Sequence, residues 1–497
     1  MGFVRVIAIS AILGTTELAT AFSQSNAMSN VLFELLAGGA LSAALVPAIV
    51  AADDRRGSVG VEGIAQGILG IALTILGGAT VIALILRGPI AAMITSAAEP
   101  RVRQESAALV EYWLMWFLPQ VLLYAWGAIA IAVLTARRKL GVIGAAPIGN
   151  TVVLITCMVI ARVIHGSAFG AGTAGLHIGS AEKVWLGIAG TGGVLAFVAL
   201  PVLSARRSGV RLRPRWGWTD RNLRVLLRSI SWSVLQTGAV GVLLLGANIA
   251  SAERRGGAQI YAFALACFYA PFAIFAQPVQ TAAQPDLVRL AQSEEFYVKR
   301  LNVALRSTLA STILIAIASF GLVLPAMRGV LFGATHAGDA RGYAFALAGL
   351  MLGLPAYSVF MLLTRARYAL GDTRSPAVIA LTSAVLAAVG MQVLRVVLDG
   401  DWVLAGIGAS VSLAWISASA VLIVRSVALR HAFAALDWRD LATRSVVPGC
   451  LIAAVGLVLD GASLVSGSRW SSLLLAGIGG GVAALMSHRR LRLKANA

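Results

Sequence analysis

The sequence predicts an all-α polytopic membrane protein with about fourteen transmembrane helices, in which two six-helix lobes are followed by two C-terminal helices. Composition is the first reason. Of the 497 residues, 59% are hydrophobic and only 12% are charged, and the mean hydropathy is +0.85. A soluble protein of this size would have too little polar surface to face water on all sides. The second reason is a succession of apolar stretches of about 20 residues, the length that crosses a bilayer.

The apolar stretches define the predicted spans and the division of the chain. An N-terminal lobe is expected over 1–204, a basic cytoplasmic linker over 205–228, a C-terminal lobe over 229–430, and two extra helices with a basic tail over 431–497. The spans are predicted near 3–23, 28–51, 63–86, 108–134, 146–164, 184–204, 229–251, 258–284, 304–326, 343–364, 376–397, 402–427, 445–462 and 470–487.

Basic residues predict how the chain is oriented. With the N-terminus in the cytoplasm, most Lys and Arg residues fall in the connections that follow even-numbered spans. Because cytoplasmic loops carry the excess of basic residues, both termini are expected to be cytoplasmic. The net charge of +19 is therefore explained by topology, and no nucleic-acid binding is predicted. No cleavable signal peptide is expected, because Arg5 and Glu17 interrupt the first apolar segment.

The linker is the most basic connection, and it also contains Trp216 and Trp218. Arg and Trp together are typical of a helix that lies at the anionic inner leaflet, which would make membrane lipids a partner. The same residues would serve equally well as a topology anchor, so both interpretations stand.

Polar residues in the second span predict the wall of a cavity. Asn30, Glu34 and Ser42 lie within an apolar run long enough to cross the bilayer. A charged side chain at membrane depth normally faces a bundle interior or a watery cavity. Glu34 would need a proton, a cation or a basic partner there.

The same span also has features of close packing and bending. Gly38 and Gly39 would let two helices approach closely, and Pro47 removes a backbone hydrogen bond near the helix end. Its last residues, 43–54, are similar to 281–292 at the end of the eighth span, since in both small residues precede a Pro and a polar loop follows. Such a repeat is typical of transporters that bind substrate between two halves.

Three amides recur at helical spacing in the eighth span, Gln277, Gln280 and Gln284, between Pro271 and Pro285. Residues three and four apart share a face of a helix, and amides that face lipid are unfavourable. Lining of the cavity is favoured, and hydrogen bonding between helices is the alternative. The two prolines would break the regularity of this helix.

Arg5 lies near the start of the first span. Its side chain either snorkels to the headgroups or supplies a cation for an anionic substrate. The sequence contains no nucleotide-binding loop, no His/Cys cluster with ligand spacing and no convincing nucleophile–base pair. We therefore predict a transporter rather than an enzyme, with no catalytic residue, metal or cofactor.

Three motifs carry a family resemblance. Residues 2–5 read G-F-V-R, residues 30–47 include N-V-L, A-G-G-A-L-S and V-P, and residues 367–376 read R-Y-A-L-G-D-T-R-S-P. They resemble the signatures of the MurJ/MviN family, the lipid II flippases of the multidrug/oligosaccharidyl-lipid/polysaccharide exporter superfamily. Pro271 and Pro285 also resemble the Pro-containing eighth helix of that family. The resemblance covers most of the chain and implies the same layout of fourteen spans.

The third motif predicts a cytoplasmic gate loop. Arg365, Arg367 and Arg374 are expected on the cytoplasmic side, with Asp372 bonded into the same loop, because Asp favours a turn and Pro376 can begin the next helix. These charges would meet a diphosphate that enters from inside. The alternative is a topology anchor with a well-formed turn.

The chain departs from the family in its cavity cations. The family's Arg upstream of the first motif has no counterpart, the Arg of its second helix falls at or beside Glu34, and the Arg of its eighth helix is replaced by the apolar run 264–266. An acidic position late in the family's first helix falls near Thr20. Arg5 is the cation that the resemblance carries over.

The resemblance implies a flippase of the bacterial inner membrane. It would move an undecaprenyl-diphosphate-linked peptidoglycan precursor, lipid II, from the inner to the outer leaflet by alternating access, with the last two helices forming a groove for the lipid tail. Cell-wall synthesis proteins would be further partners. Two alternatives stand. Glu34 and the missing arginines favour an exporter of drugs or of another lipid-linked glycan, and a transport-inactive scaffold for cell-wall synthesis is the second.

Overall fold

The computed structural model describes residues 2–14, 16–37, 40–137, 139–165, 178–217, 221–331 and 340–466. Within these ranges the chain forms helices joined by short connections, and no strand is present. Eight helices there are long and apolar enough to cross a membrane, or up to ten if each of two bent pairs counts as one span. The predicted all-α membrane class is confirmed. The number fourteen stays a prediction, and the last predicted span, 470–487, lies outside the described residues.

The chain divides into two compact units, Met1–Gln259 and Ile260–Ala497. The predicted lobe and linker boundaries stay predictions. The described helices of the first unit are α1 (Gly2–Leu13), α2 (Glu17–Ala37), α3 (Ala40–Ile85), α4 (Arg87–Ile94), α5 (Arg103–Phe117), α6 (Gln120–Ala136), α7 (Leu140–His165), α8 (Ser180–Arg207) and α9 (Arg221–Ser251).

The first predicted span is interrupted between α1 and α2. Gly14 has a φ of 66° and ends α1, a backbone conformation that glycine adopts without a steric cost. Thr16 then begins α2, because its hydroxyl oxygen accepts a hydrogen bond from the backbone N–H of Ala19 at 3.1 Å. Glu17 adds a carboxylate in the first turn, where the helix dipole favours negative charge.

A second interruption lies inside α3, at Gly57. This residue has φ 56° and ψ −147°, so α3 consists of two helices that meet at a kink. The kink falls in the predicted connection between the second and third spans. The part of α3 that follows the kink makes up most of the candidate membrane span Arg55–Ile85.

Aromatic packing fixes α2 in the first unit. Phe22 on α2 meets Trp113 and Phe117 on α5 edge to face, with ring centroids 5.7 Å and 5.6 Å apart. All three side chains are fully buried. Edge-to-face pairs add to the burial of aromatic surface, so this cluster holds α2 firmly on α5.

The second unit begins within α10 and carries the eighth predicted span. Its described segments are α10 (Gly257–Pro271), a π-helical segment (Phe272–Ala276), α11 (Gln277–Leu290), α12 (Glu294–Val330), α13 (Ala340–Met351), α14 (Leu354–Ala369), α15 (Arg374–Val397), α16 (Asp401–Val424), α17 (Val427–Ala434), α18 (Trp438–Leu441), a second π-helical segment (Ala442–Val446) and α19 (Val447–Ser466).

Two sets of contacts position α14 in this unit. Tyr357 and Phe360 pack against Trp415 of α16, with ring centroids 5.1 Å and 5.2 Å away. At the other end of α14, the buried Tyr297 hydroxyl of α12 donates a hydrogen bond to the carbonyl of Ala366 at 2.7 Å. These contacts fix the end of α14 that carries Arg365.

Connections that were predicted to be cytoplasmic meet one another within each unit. In the first unit Arg137 pairs with Asp53 at 3.1 Å and also donates to the carbonyl of Ser208. In the second, Arg300 pairs with Asp286 at 2.9 Å, and Arg306 pairs with Asp440. The loops of each unit thus share one end, and the assignment of that end to the cytoplasm stays a prediction.

The basic linker is not helical over residues 208–217. It crosses the side of α3 as an irregular segment, which we call the strap. The interpretation of the linker as an interfacial helix is therefore wrong over this stretch. Gly209 has a φ of 80°, and Pro214 cannot donate a backbone hydrogen bond, so both residues oppose a helix there.

Candidate functional site

The eighth predicted span is one long helical segment, Gly257–Leu290, with a π-helical turn in its middle. The backbone N–H of Gln277 donates to the carbonyl of Phe272, five residues back. Pro278 has no N–H, and in a regular α-helix its ring would crowd the carbonyl of Ile274. The wider π turn relieves this conflict before α11 begins.

Polar side chains follow one exposed face of α11. Gln277, Thr281 and Gln284 are all exposed, and their spacing of four and three residues places them in one row along the helix. Arg365 of α14 joins this row, because its Nη1 lies 3.1 Å from Oγ1 of Thr281 and 3.3 Å from Oε1 of Gln284. We call these four residues the α11 polar face.

The guanidinium of Arg365 can bind a ligand through its Nε and Nη2 atoms. Both hydrogen bonds use Nη1, and among the described residues Nε and Nη2 have no partner. The partners on Nη1 are a hydroxyl and an amide, so they leave the positive charge uncompensated. A guanidinium presents two parallel N–H groups to an oxyanion in this geometry.

Gln280 lies beside this face and is buried. Its Nε2 donates to the backbone carbonyl of Ser358 in α14 at 2.9 Å, and the residue is 0% exposed. Of the two sequence interpretations, the structure gives Gln280 the hydrogen bond between helices. Its Oε1 has no partner among the described residues.

The predicted gate loop is held by its own hydrogen bonds. Gly371, with a φ of 80°, follows the end of α14, and the N–H of Asp372 donates back to the carbonyl of Arg367 at 3.0 Å, as in a Schellman motif. Arg367 forms an ion pair with Asp372, whose Oδ1 accepts from the N–H of Ser375 at 3.0 Å. The predicted bonding of Asp372 into this loop is confirmed.

The charge state of Asp372 follows from these contacts. Burial raises the pKa of its carboxyl, but the hydrogen bonds from Ser375 and the Arg367 guanidinium outweigh burial and lower the pKa below its ordinary value. Arg367 is neutralised by this partner, and Arg374 begins α15. Arg365 therefore differs from the other residues of the predicted gate loop, because it joins the α11 polar face instead of bonding within the loop.

Of the remaining predicted site residues, Arg5 and Pro271 lie in the described part of the chain. Arg5 lies in α1 with its side chain half-buried, and Pro271 lies at the end of α10. The pair Gly38 and Gly39 lies outside the described residues. The side chains of Asn30, Glu34, Ser42, Pro47 and Pro285 lie outside them as well. Their roles in the cavity and in bending stay predictions.

The first unit contains a buried polar layer that sequence reasoning missed. Gln24 of α2 donates to the backbone carbonyl of Asn248 in α9 at 2.9 Å, and Gln259 bridges Ser10 and Ser23. Gln24 and Gln259 are each 1% exposed. The run S-Q-S-N at 23–26, polar inside an apolar context, was the sequence signal for this layer.

Comparison with known proteins agrees on one family. A family model described as lipid II flippase MurJ matches residues 9–476. A probable lipid II flippase MurJ from Vibrio cholerae is 25% identical over 400 residues, which cover 76% of this chain and 71% of that protein. A protein of the same description from Haemophilus influenzae is 23% identical over 403 residues, covering 76% and 74%.

Solved structures give the same fold. Lipid II flippase MurJ in an inward closed conformation has a TM-score of 0.72 at 16% identity, with 99% of this chain and 96% of that chain covered. An inward-facing multidrug resistance transporter of the MATE family has a TM-score of 0.68 at 14% identity, with 86% and 96% covered. At such identities the likeness concerns the fold alone.

Proposed function

Because the chain belongs to the lipid II flippase MurJ family, we propose that it moves a lipid-linked peptidoglycan precursor from the inner to the outer leaflet of a bacterial cytoplasmic membrane. The substrate carries a diphosphate between its sugar headgroup and its undecaprenyl tail. The headgroup crosses by alternating access, with both termini of the protein in the cytoplasm. No covalent step is involved.

The observation that carries this proposal is the α11 polar face. Two amides and a hydroxyl are exposed on the candidate membrane span Gly257–Leu290, and the half-buried Arg365 joins them from α14. Such groups are costly against lipid, so they belong to a water-filled surface within the transporter. A polar headgroup that passes through the membrane requires a surface of this kind.

The groups present suit a diphosphate attached to a sugar. The Nε and Nη2 edge of Arg365 would bind phosphate oxygens, and the amides of Gln277 and Gln284 would exchange hydrogen bonds with sugar hydroxyls. The family Arg expected early in the eighth helix is absent, and Ala264 is buried there. Arg365 on the neighbouring helix provides a cation in the second unit instead.

Arg5 provides the corresponding test in the first unit. If the substrate is a lipid diphosphate, Arg5→Ala should lose most export, while Arg5→Lys, which keeps the charge but loses the fork, should retain part of it. A charged hydrogen bond contributes about 1.5–3 kcal/mol, or roughly ten- to a hundredfold in affinity. Full export by Arg5→Ala at normal membrane abundance would leave Arg5 as an anchor.

Two measurements separate the proposal from its rivals. Expression in a strain depleted of its own flippase should restore growth and prevent accumulation of the lipid-linked precursor. Purified protein should bind lipid II in detergent or nanodiscs. Binding without complementation would favour an exporter of another lipid-linked glycan, and failure of both would favour a scaffold.

A further inference from the structure

The strap, residues 208–217, is fixed firmly against the first unit. The backbone N–H of Arg211 donates to Oε1 of Glu62 at 3.1 Å, and Nε2 of Gln66 donates to the carbonyl of Arg211 at 2.8 Å. Trp126 of α6 donates its indole N–H to the carbonyl of Leu212 at 3.2 Å. Three side chains on two helices therefore hold the strap backbone.

The end of the strap lies directly on glycines of α3. A Cβ added at Gly70 would lie 1.9 Å from the carbonyl oxygen of Arg215, and one added at Gly217 would lie 2.5 Å from the carbonyl oxygen of Gly67. Only glycine permits this approach of backbone to backbone. The strap and α3 thus form one rigid surface.

An open cleft of about 350 Å³ lies between them. It is lined by Gly70, Leu73, Thr74, Pro214, Arg215 and Trp216. Arg215 and Thr74 are exposed, and Trp216 is 67% exposed. No described residue forms an ion pair with Arg215, and the neighbouring strap residues Arg211 and Arg213 add positive charge.

The position of the cleft along α3 indicates what it meets. The span Arg55–Ile85 has 31 residues, about 46 Å at 1.5 Å per residue, whereas the hydrocarbon core of a bilayer is about 30 Å thick. Its first part carries Glu62 and Gln66, while exposed apolar side chains continue from Ile75 to Ile85. Counted back from Ile85, the roughly 30 Å of the hydrocarbon core reach about residue 65. The cleft at Gly70 to Thr74 therefore lies about 7–13 Å inside that boundary, a depth from which the long side chain of Arg215 can extend to the headgroups.

We propose that this cleft binds the phosphate headgroup of an anionic phospholipid. The Arg215 guanidinium binds the phosphate, the Thr74 hydroxyl lies within the same cleft, and the Trp216 ring covers the boundary between headgroup and acyl chain. The anionic charge of the inner leaflet complements the basic strap. This site belongs to the first unit and does not depend on the transported substrate.

Quenching of Trp216 by brominated lipids tests the proposal on the full chain in nanodiscs. The chain has eleven tryptophans, so the Trp216 signal is the difference between the protein and its Trp216→Phe variant. We expect brominated phosphatidylglycerol to quench it about fivefold more effectively than brominated phosphatidylcholine at equal mole fraction, the effect of about one basic residue at an anionic surface.

Matched variants separate the cleft from general surface charge. Arg215→Gln should abolish the preference for the anionic lipid, whereas Arg213→Gln, on the same strap but outside the cleft, should preserve it. Thr74→Phe fills the cleft without changing the charge and should weaken quenching by both lipids, while Val81→Phe, exposed further along α3, should not.

Three results would overturn the proposal. Equal quenching by the two lipids would remove the headgroup preference. An equal loss with Arg213→Gln would show diffuse attraction of charges rather than a site. Loss of the preference on addition of millimolar inorganic phosphate, at constant ionic strength, would assign the cleft to a soluble anion.

Discussion

Glutamine side chains occur in the spans of both units, and the two units use them differently. In the first unit Gln24 is 1% exposed and donates to the backbone carbonyls of Asn248 and Ile94. In the second, Gln284 is exposed and accepts a hydrogen bond from Arg365. Buried amides in a membrane protein join helices, while exposed ones require water and remain available to a ligand. The difference separates residues that support the fold from residues that we propose to serve transport.

The largest expected effect is on export, at Arg365. Arg365→Ala should lower export roughly ten- to a hundredfold, because a charged hydrogen bond of about 1.5–3 kcal/mol is lost. Arg365→Lys should retain part of the activity. Arg289→Ala is the control, since Arg289 is an exposed arginine at the end of the same α11. If Arg365→Ala exported at the unmodified rate and at normal membrane abundance, the α11 polar face would not take part in transport.

A pair of amide substitutions tests the comparison directly. Gln24→Ala should cost about 1–3 kcal/mol of stability, because two hydrogen bonds to buried backbone carbonyls are lost, and export per molecule should change little. Gln284→Ala should leave stability unchanged and lower export about two- to tenfold, the effect of one neutral hydrogen bond. Heat inactivation in detergent and export normalised to abundance measure the two quantities. Equal stability losses would mean that the exposed and buried amides do not differ in role.

The smallest effect is expected at Asp372, where the charge stabilises a loop. Asp372→Asn removes the ion pair with Arg367 but keeps the acceptor for Ser375, and should cost about 1 kcal/mol or less, since the pair is partly exposed. Asp372→Ala should cost about 1 kcal/mol more by losing the cap. Because the folded pKa is lowered, the ionic contribution is present at neutral pH and is lost in acid, below about pH 4.

The pH dependence provides the control for that variant. The stability difference between the protein and Asp372→Asn should shrink as the pH falls through the lowered pKa of Asp372. A difference that persisted unchanged in acid would assign the effect to packing rather than to charge.

Local sequence patterns predicted those features that depend on local physics. Hydropathy predicted the membrane class, and the D-T-R-S-P motif predicted the bonding of Asp372, because a turn and its cap lie within a few residues. The two glycines and the proline of the strap likewise oppose a helix there, although its basic and aromatic composition favoured one. The break at Gly14 and Thr16 had ordinary capping signals as well.

Tertiary partners could not be predicted in this way. The spacing of Gln277, Gln280 and Gln284 is compatible with one face of a helix. Gln280 nevertheless points far enough to the side of the exposed row to donate a hydrogen bond to Ser358 of α14. The sequence places Arg365 next to the gate loop, and only the packing of α14 against α11 brings it to Gln284. Packing between segments far apart in sequence decides which side of a helix meets a neighbour. Local sequence patterns do not contain this information.

The π-helical segment before α11 determines which side chains the substrate would meet. Such a turn contains one residue more than an α-helical turn, and each residue rotates a helix by about 100°. With that residue deleted, the row now formed by Gln277, Thr281 and Gln284 would be formed by the residues that follow them, Pro278, Ala282 and Pro285. A row of two amides and a hydroxyl would become a row of two prolines and an alanine. One extra residue in the π turn thus sets the rotation of α11 about its axis, and this rotation decides which side chains form the exposed row.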